Sequence, residues 1–284
     1  MFKTRLLSGI ALVIVALITI TYGSWALAGI LILLSLLGYL ELTRACQVNT
    51  QEGEKSVYLY RKNGLEIVGI LAVIAYYGAM LAGASQTILV MIVVLAFVAT
   101  LFVYVFGYPK FYSNQVMSAY FAFLYAPVML SFIYLTRNLE YGEYLVWLIF
   151  LASWGCDTCA YCVGMLFGKT IGNHKMSPKL SPKKSIEGAV GGVVGAALLG
   201  VLYAALLVEK KIPDQNITWV FALICGVGAL ISMVGDLAAS AIKRNHDIKD
   251  YGHCIPGHGG IMDRFDSVIV TAPVIYFLAV LILK

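Results

Sequence analysis

The chain has 284 residues, of which 61% are hydrophobic and only 12% charged, with a formal net charge of +5. A water-soluble protein of this size carries about 25% charged residues, so half that share excludes an exterior that mainly faces water. Repeated apolar runs of about 20 residues, each about 30 Å long as a helix, match the hydrocarbon thickness of a bilayer. The expected fold class is an all-α polytopic integral membrane protein.

Nine spans are expected in chain order, at 6–21, 24–43, 65–83, 87–106, 116–135, 144–166, 188–208, 218–238 and 267–283. The first follows a basic start that resembles a secretory signal. Its apolar stretch is longer than usual and no Ala-x-Ala site precedes the second span, so it reads as a retained signal anchor. Tyr22-Gly23-Ser24 allows only a tight turn. Pro109 ends the fourth span, and Pro127 inside the fifth predicts a kink. A polar loop at 167–187 separates the sixth and seventh spans, and GAVGGVVGAALLG (188–200) gives the seventh a small-residue face for close helix approach. The chain divides into an N-terminal region, 1–143, of about five spans and a C-terminal region, 144–284, with loops at 167–187 and 239–266. Alternating topology places 16 Lys and Arg on the side of the N-terminus and 4 on the other. That bias puts the N-terminus and both loops in the cytoplasm. Six cysteines in such a chain give no reason to expect a disulfide framework.

Polar residues concentrate at 240–266, SAIKRNHDIKDYGHCIPGHGGIMDRFD, which holds eight charges and three of the four histidines. An island of this kind between apolar spans costs stability, and function is the usual reason to bear it. Just upstream, Asp236, Ser240 and Lys243 share one helical face if the eighth span continues, offering a metal ligand and a phosphate contact in one line. The plainer alternative pairs Asp236 with Lys243 of its own helix. In IPGHGGIMDRFD (255–266), Pro256 with Gly257, Gly259 and Gly260 permits a sharp turn exposing backbone N–H groups to phosphate. Asp263 and Asp266, three apart at the start of a helix, form a hard oxygen site of the kind Mg²⁺ uses, with substrate phosphates completing the shell. Arg264 and Lys249 are then placed to clamp phosphate oxygens. Acidic residues also suit a helix N-terminus through its macrodipole, which accounts for one aspartate but not for the glycine turn with its basic neighbours. His258 reads as a substrate contact or proton carrier. The spacing of His253 and His258 does not fit a zinc site.

KMSPKLSPKKSIEG (175–188) reads as an extended cytoplasmic loop entering a helix capped by Ser185, where Lys183 and Lys184 suit a triphosphate. Attraction to anionic headgroups is the alternative. Asp157, inside the sixth span, is expected to face the bundle interior. Around it Cys156, Cys159 and Cys162 could approach one ion, but a fourth ligand is missing and cysteine is also a common small buried residue.

Together these residues resemble the phosphatidate cytidylyltransferases, or CDP-diacylglycerol synthases. The resemblance rests on Ser240, Lys243 and Arg244; Lys249 and Asp250; Pro256 to Gly260; Asp263, Arg264 and Asp266; Gly235-Asp236-Leu237; and the loop Ser181 to Gly188. It covers roughly 150–284 in detail, while the N-terminal half agrees only in consisting of apolar spans. One departure is Ala239, where many bacterial members carry Glu. The resemblance implies that CTP and phosphatidate give CDP-diacylglycerol and pyrophosphate in phospholipid biosynthesis, dependent on Mg²⁺. It implies one or two cations on Asp236, Asp263 and Asp266, with CTP at Lys183 and Lys184 and phosphate groups at Lys243, Arg244 and Arg264. Ser181, Ser240, Lys249, Gly257, Gly259, Gly260 and Asp157 are further substrate contacts, and His258 completes the catalytic set. A homodimer in the cell's inner membrane, with its site facing the cytoplasm and no nucleic-acid partner, is also implied. Chemistry agrees, because joining several anions requires charge neutralisation and in-line positioning. The alternatives are a CTP-dependent lipid-alcohol kinase and a secondary transporter using Asp157 as a midplane site. The missing repeat symmetry and the one-sided clustering of charge argue against the transporter.

Overall fold

The computed structural model describes residues 2–49, 63–167, 174–212, 217–254 and 259–283. Helices account for nearly all of them: α1 (Phe2–Tyr22), α2 (Ser24–Ala45), α3 (Gly64–Leu81), α4 (Gln86–Phe106), α5 (Ser113–Phe123), α6 (Met129–Arg137), α7 (Gly142–Phe150), α8 (Cys156–Phe167), α9 (Ile186–Tyr203), α10 (Ile217–Asn245) and α11 (Met262–Ile282). Between α8 and α9 lies an antiparallel hairpin of β1 (Lys175–Ser177) and β2 (Ser181–Ser185). Single π-helical turns join α5 to α6 (Leu124–Val128) and α7 to α8 (Leu151–Gly155), and another ends α9 (Ala204–Val208). Among the described residues eight helical stretches are long and apolar enough to cross a membrane, and α1 adds a shorter apolar segment, Val13–Tyr22. The chain is a polytopic integral membrane protein, as its composition requires.

Two helices run beyond their expected apolar spans. Helix α10 continues past 238 to Asn245, and α11 begins at Met262 rather than 267. At 29 residues α10 is about 43 Å long and outruns a hydrocarbon core of about 30 Å, so the turns carrying Ser240, Lys243 and Arg244 remain helical beyond the apolar run. Hydropathy marks where a helix leaves lipid, not where it stops. The hairpin was expected only as extended loop, because strands of three and five residues rich in Lys, Ser and Pro carry no apolar alternation.

The helices group into two compact units. The first comprises Met1–Ser131 and His246–Arg264. Its core is held by hydroxyl groups buried among apolar side chains. The Tyr77 hydroxyl donates to the carbonyl of Pro127 at 3.1 Å and lies 2.7 Å from the Ser35 hydroxyl. Pro127 sits inside the π turn of Leu124–Val128, where its ring removes a backbone donor. Tyr77 adds a donor to the backbone at this interruption, where lipid offers none. Asn63 caps α3 by accepting from the backbone N–H of Glu66 at 3.0 Å.

The second unit comprises Phe132–Asn245 and Phe265–Lys284. Here α9 lays its glycine face on α8: a Cβ at Gly192 would lie 2.9 Å from Cys156 Sγ, and one at Gly195 would lie 2.5 Å from Cys159 Cβ. The Cys-x-x-Cys spacing thus places small side chains against glycines, and no cluster of metal-ligating side chains forms there among the described residues. Close backbone approach is the main source of helix association in lipid. Gly195→Leu, which overpacks this seam, should destabilise the protein by about 1–3 kcal/mol, read as a lowered melting temperature in detergent. Leu at Val190, a 60% exposed position on the same helix, should be neutral.

Candidate active site

The second unit gathers most of the expected residues. In strand β2 Lys183 is exposed while Lys184, the next residue, is half-buried. The ammonium of Lys184 is shut off from solvent and forms an ion pair with Asp236 Oδ2 on α10. The two lysines, expected as a pair, address opposite faces. Ser240, one turn on from Asp236, donates to Asp236 Oδ1 at 3.4 Å. Asp236 thus takes a partner from the hairpin, a contact its own helix does not supply.

Three local features hold this arrangement. Ser185 caps α9 through the backbone N–H of Gly188 at 3.1 Å, as expected. His174 Nδ1 lies 2.6 Å from Glu187 Oε1, and the backbone N–H of Ile186 donates to the carbonyl of His174 at 2.9 Å. These contacts tie the start of the hairpin to the first turn of α9 and fix the strand that carries Lys184. Gly235, beside Asp236, faces α11, and a Cβ there would lie 2.9 Å from the carbonyl of Asp266. The missing side chain lets α10 and α11 meet where both aspartates sit.

Asp266 is half-buried and accepts from the backbone N–H of Ser267 at 2.8 Å. It lies within electrostatic range of Asp236, Lys243 and Asp157, and Asp157 lies within range of Lys184 and Asp236. Asp157 lies in the first turn of α8, just after the π turn Leu151–Gly155, a helix irregularity of the sort often found at functional sites. Lys184 is the cation within its electrostatic range. One centre thus collects Asp157, Asp236 and Asp266 with Lys184 and Lys243. Arg244 is exposed on the same α10 turn, Ser181 is half-buried in β2, and Ala239 is fully buried.

Asp263 belongs to the first unit, where its carboxylate takes up backbone donors. Its Oδ2 accepts from the backbone N–H groups of Tyr251 at 2.8 Å and Gly260 at 3.0 Å. Gly259 has φ +87°, a left-handed conformation that glycine adopts without steric cost. The next two backbone donors go to Glu41 of α2: Ile261 N–H to Oε1 at 3.0 Å and Met262 N–H to Oε2 at 2.9 Å. The turn was expected to expose its N–H groups to phosphate. At residues 260–262 carboxylates take them instead. A Cβ at Gly260 would lie 2.5 Å from Glu41 Oε2, and one at Gly252 would also strike the Glu41 carboxylate. Lys249 and Arg264 are exposed in this unit. Pro256, Gly257 and His258 lie outside the described residues.

Glu41 is the residue that sequence reasoning missed. It is 3% exposed, and its signal was available: a lone acid inside an apolar span is a functional candidate by default. Cys254, in the loop at 251–254, hydrogen-bonds to it; desolvation first, then the Glu41 carboxylate, push the Cys254 thiol above its ordinary value. Because the thiolate is the reactive form, Glu41→Gln should speed alkylation of Cys254 at pH 8, followed by peptide mapping. An unchanged rate would show that the carboxylate does not act on this thiol.

The family model described as the cytidylyltransferase family matches residues 3–282. Among similar curated proteins, the phosphatidate cytidylyltransferase of Rickettsia felis is 34% identical over 158 residues, covering 55% of this chain and 67% of the relative. That of Rickettsia typhi is 32% identical over 167 residues, covering 58% and 71%. That of Bacillus subtilis is 33% identical over 146 residues, covering 51% of each.

Proposed function

We propose that this chain, which belongs to the cytidylyltransferase family, transfers the cytidylyl group of CTP to phosphatidate, giving CDP-diacylglycerol and pyrophosphate. The observation that carries the reading is the convergence of Asp157, Asp236 and Asp266 on Lys184 and Lys243 in a chain matched by the family almost end to end. A phosphate oxygen of phosphatidate attacks the α-phosphorus of CTP as the bond to the bridging oxygen breaks, and pyrophosphate leaves with the electron pair. Phosphate monoesters are mostly ionised near neutral pH, so no general base is required. The burden falls on neutralising charge and aligning the groups. Lys183, Lys243, Arg244, Lys249 and Arg264 are the cations assigned to phosphate oxygens, with Lys184 steering Asp236.

The carboxylates fit a hard divalent cation. Among the described residues no group of three or more His, Cys, Asp or Glu side chains forms a cage. Mg²⁺ usually takes one or two carboxylates and lets substrate phosphates complete its shell, and Asp236 and Asp266 suit that role. Asp263, with one oxygen committed to two backbone donors, is the weakest of the three expected ligands. When bound, the ion would polarise the triphosphate and offset charge on the departing pyrophosphate. The reading also takes the site to face the cytoplasm from the inner membrane, with a homodimer as the working unit.

Purified protein supplied with CTP, phosphatidate and Mg²⁺ should release pyrophosphate and form CDP-lipid; release of CDP with phosphorylation of a lipid alcohol would overturn the reading. EDTA should stop the reaction and Mg²⁺ restore it. Asp236→Asn and Asp266→Asn should each lower kcat roughly 100-fold or more while the protein stays folded and inserted. Asp263→Asn should also lose turnover, and near-normal synthesis by all three variants would remove the carboxylate centre from the mechanism.

A further inference from the structure

We propose that Glu41, contributed by the second helix of the chain, is a positioning residue that holds residues 259–262 and the first turn of α11 in their working shape; the inference rests on the reaction proposed above. A helix N-terminus leaves its first N–H groups without intrahelical partners, and a local Ser, Thr, Asp or Asn normally accepts from one of them. The residue before α11 is Ile261, which has no acceptor. Asp263 reaches back to Gly260 and Tyr251, so the N–H groups of Ile261 and Met262 are left to a cap from elsewhere. Glu41 supplies it with both oxygens, 220 and 221 residues away in sequence.

Glu41 is a costly way to make that cap. A carboxylate buried in an apolar span is penalised unless hydrogen bonds repay it. Here the described repayment comes from one short segment: two backbone donors at the start of α11 and the thiol of Cys254. The fit is built from both sides, because Gly252 and Gly260 leave only enough room for the Glu41 carboxylate. Asp263 and Glu41 thus divide four backbone donors between them, those of Tyr251, Gly260, Ile261 and Met262. Releasing one pair frees the segment that orients Asp263, and displacement of about 1 Å near a reacting centre costs about 100-fold in rate.

Two variants and two readouts test this in the full-length protein. Glu41→Gln keeps the side-chain volume but loses one acceptor and the charge. It should lower kcat about 10- to 100-fold, leave KM for CTP within about threefold, and leave the melting temperature nearly unchanged. Hydrogen–deuterium exchange of a peptide covering 259–264 should accelerate, while exchange in α3 should not. Gly260→Ala should be as damaging as Glu41→Gln, and Glu41→Ala with Gly260→Ala no worse than Glu41→Ala alone, because the new methyl then has space. Wild-type kcat in Glu41→Gln, a kcat loss explained wholly by unfolding, or additive effects in the double variant would overturn the proposal. If the wild type releases no pyrophosphate, the proposed reaction fails. Amide exchange then decides the positioning role alone, and unchanged exchange at 259–264 in Glu41→Gln overturns it.

Discussion

The ion pair between Lys184 and Asp236 is the contact on which the polar centre of the second unit depends. Asp236 shares its surroundings with Asp157 and Asp266, and three carboxylates gathered near membrane depth repel one another unless cations stand among them. Lys184 reaches them because it follows Lys183 on a strand, where successive side chains turn to opposite faces. That strand is held by its own neighbours: the Ser185 cap, the His174–Glu187 pair and the backbone bond from Ile186 to His174. The short hairpin is a device for delivering one ammonium group to a fixed point.

Glycine does much of the remaining work, through absence of bulk more than through flexibility. Gly192 and Gly195 admit the cysteines of α8, Gly235 admits the backbone of α11 beside Asp266, and Gly252 with Gly260 admits the carboxylate of Glu41. Only Gly259, among the glycines of the 259–262 turn, needs a left-handed backbone. A glycine-rich signature that reads as a phosphate cradle is here, over its described part, a socket for two carboxylates. The same letters in sequence serve either purpose, since both need a backbone that another group can approach closely.

The spans were legible because hydropathy reports the solvent around each segment, and the π turn holding Pro127 fell where a ring inside a helix must break the ladder. Asp236 and Asp266 were legible as acids at the ends of apolar runs. Partner identity was not. Whether Asp236 meets Lys243 on its own helix or Lys184 from a hairpin depends on tertiary placement, and an i, i+7 spacing on a helix cannot choose. Glu41 escaped because its partners are backbone groups, which leave no residue-type signature, and because they follow it by some 220 positions. The cysteine spacing was ambiguous for a different reason: periodicity suited to a ligand set is also the periodicity of one helix face.

The cap on α11 also imposes an order on the making of the protein. Glu41 enters the bilayer with α2 long before residues 261 and 262 exist. At about 5–20 residues per second the ribosome needs roughly ten to forty seconds to supply the donors that neutralise its burial. For that interval α2 carries a carboxylate without its partners from α11, close enough to the span's end to reach toward water. Emergence of α11 supplies those donors, so a helix made some 220 residues later is the one that lets α2 settle.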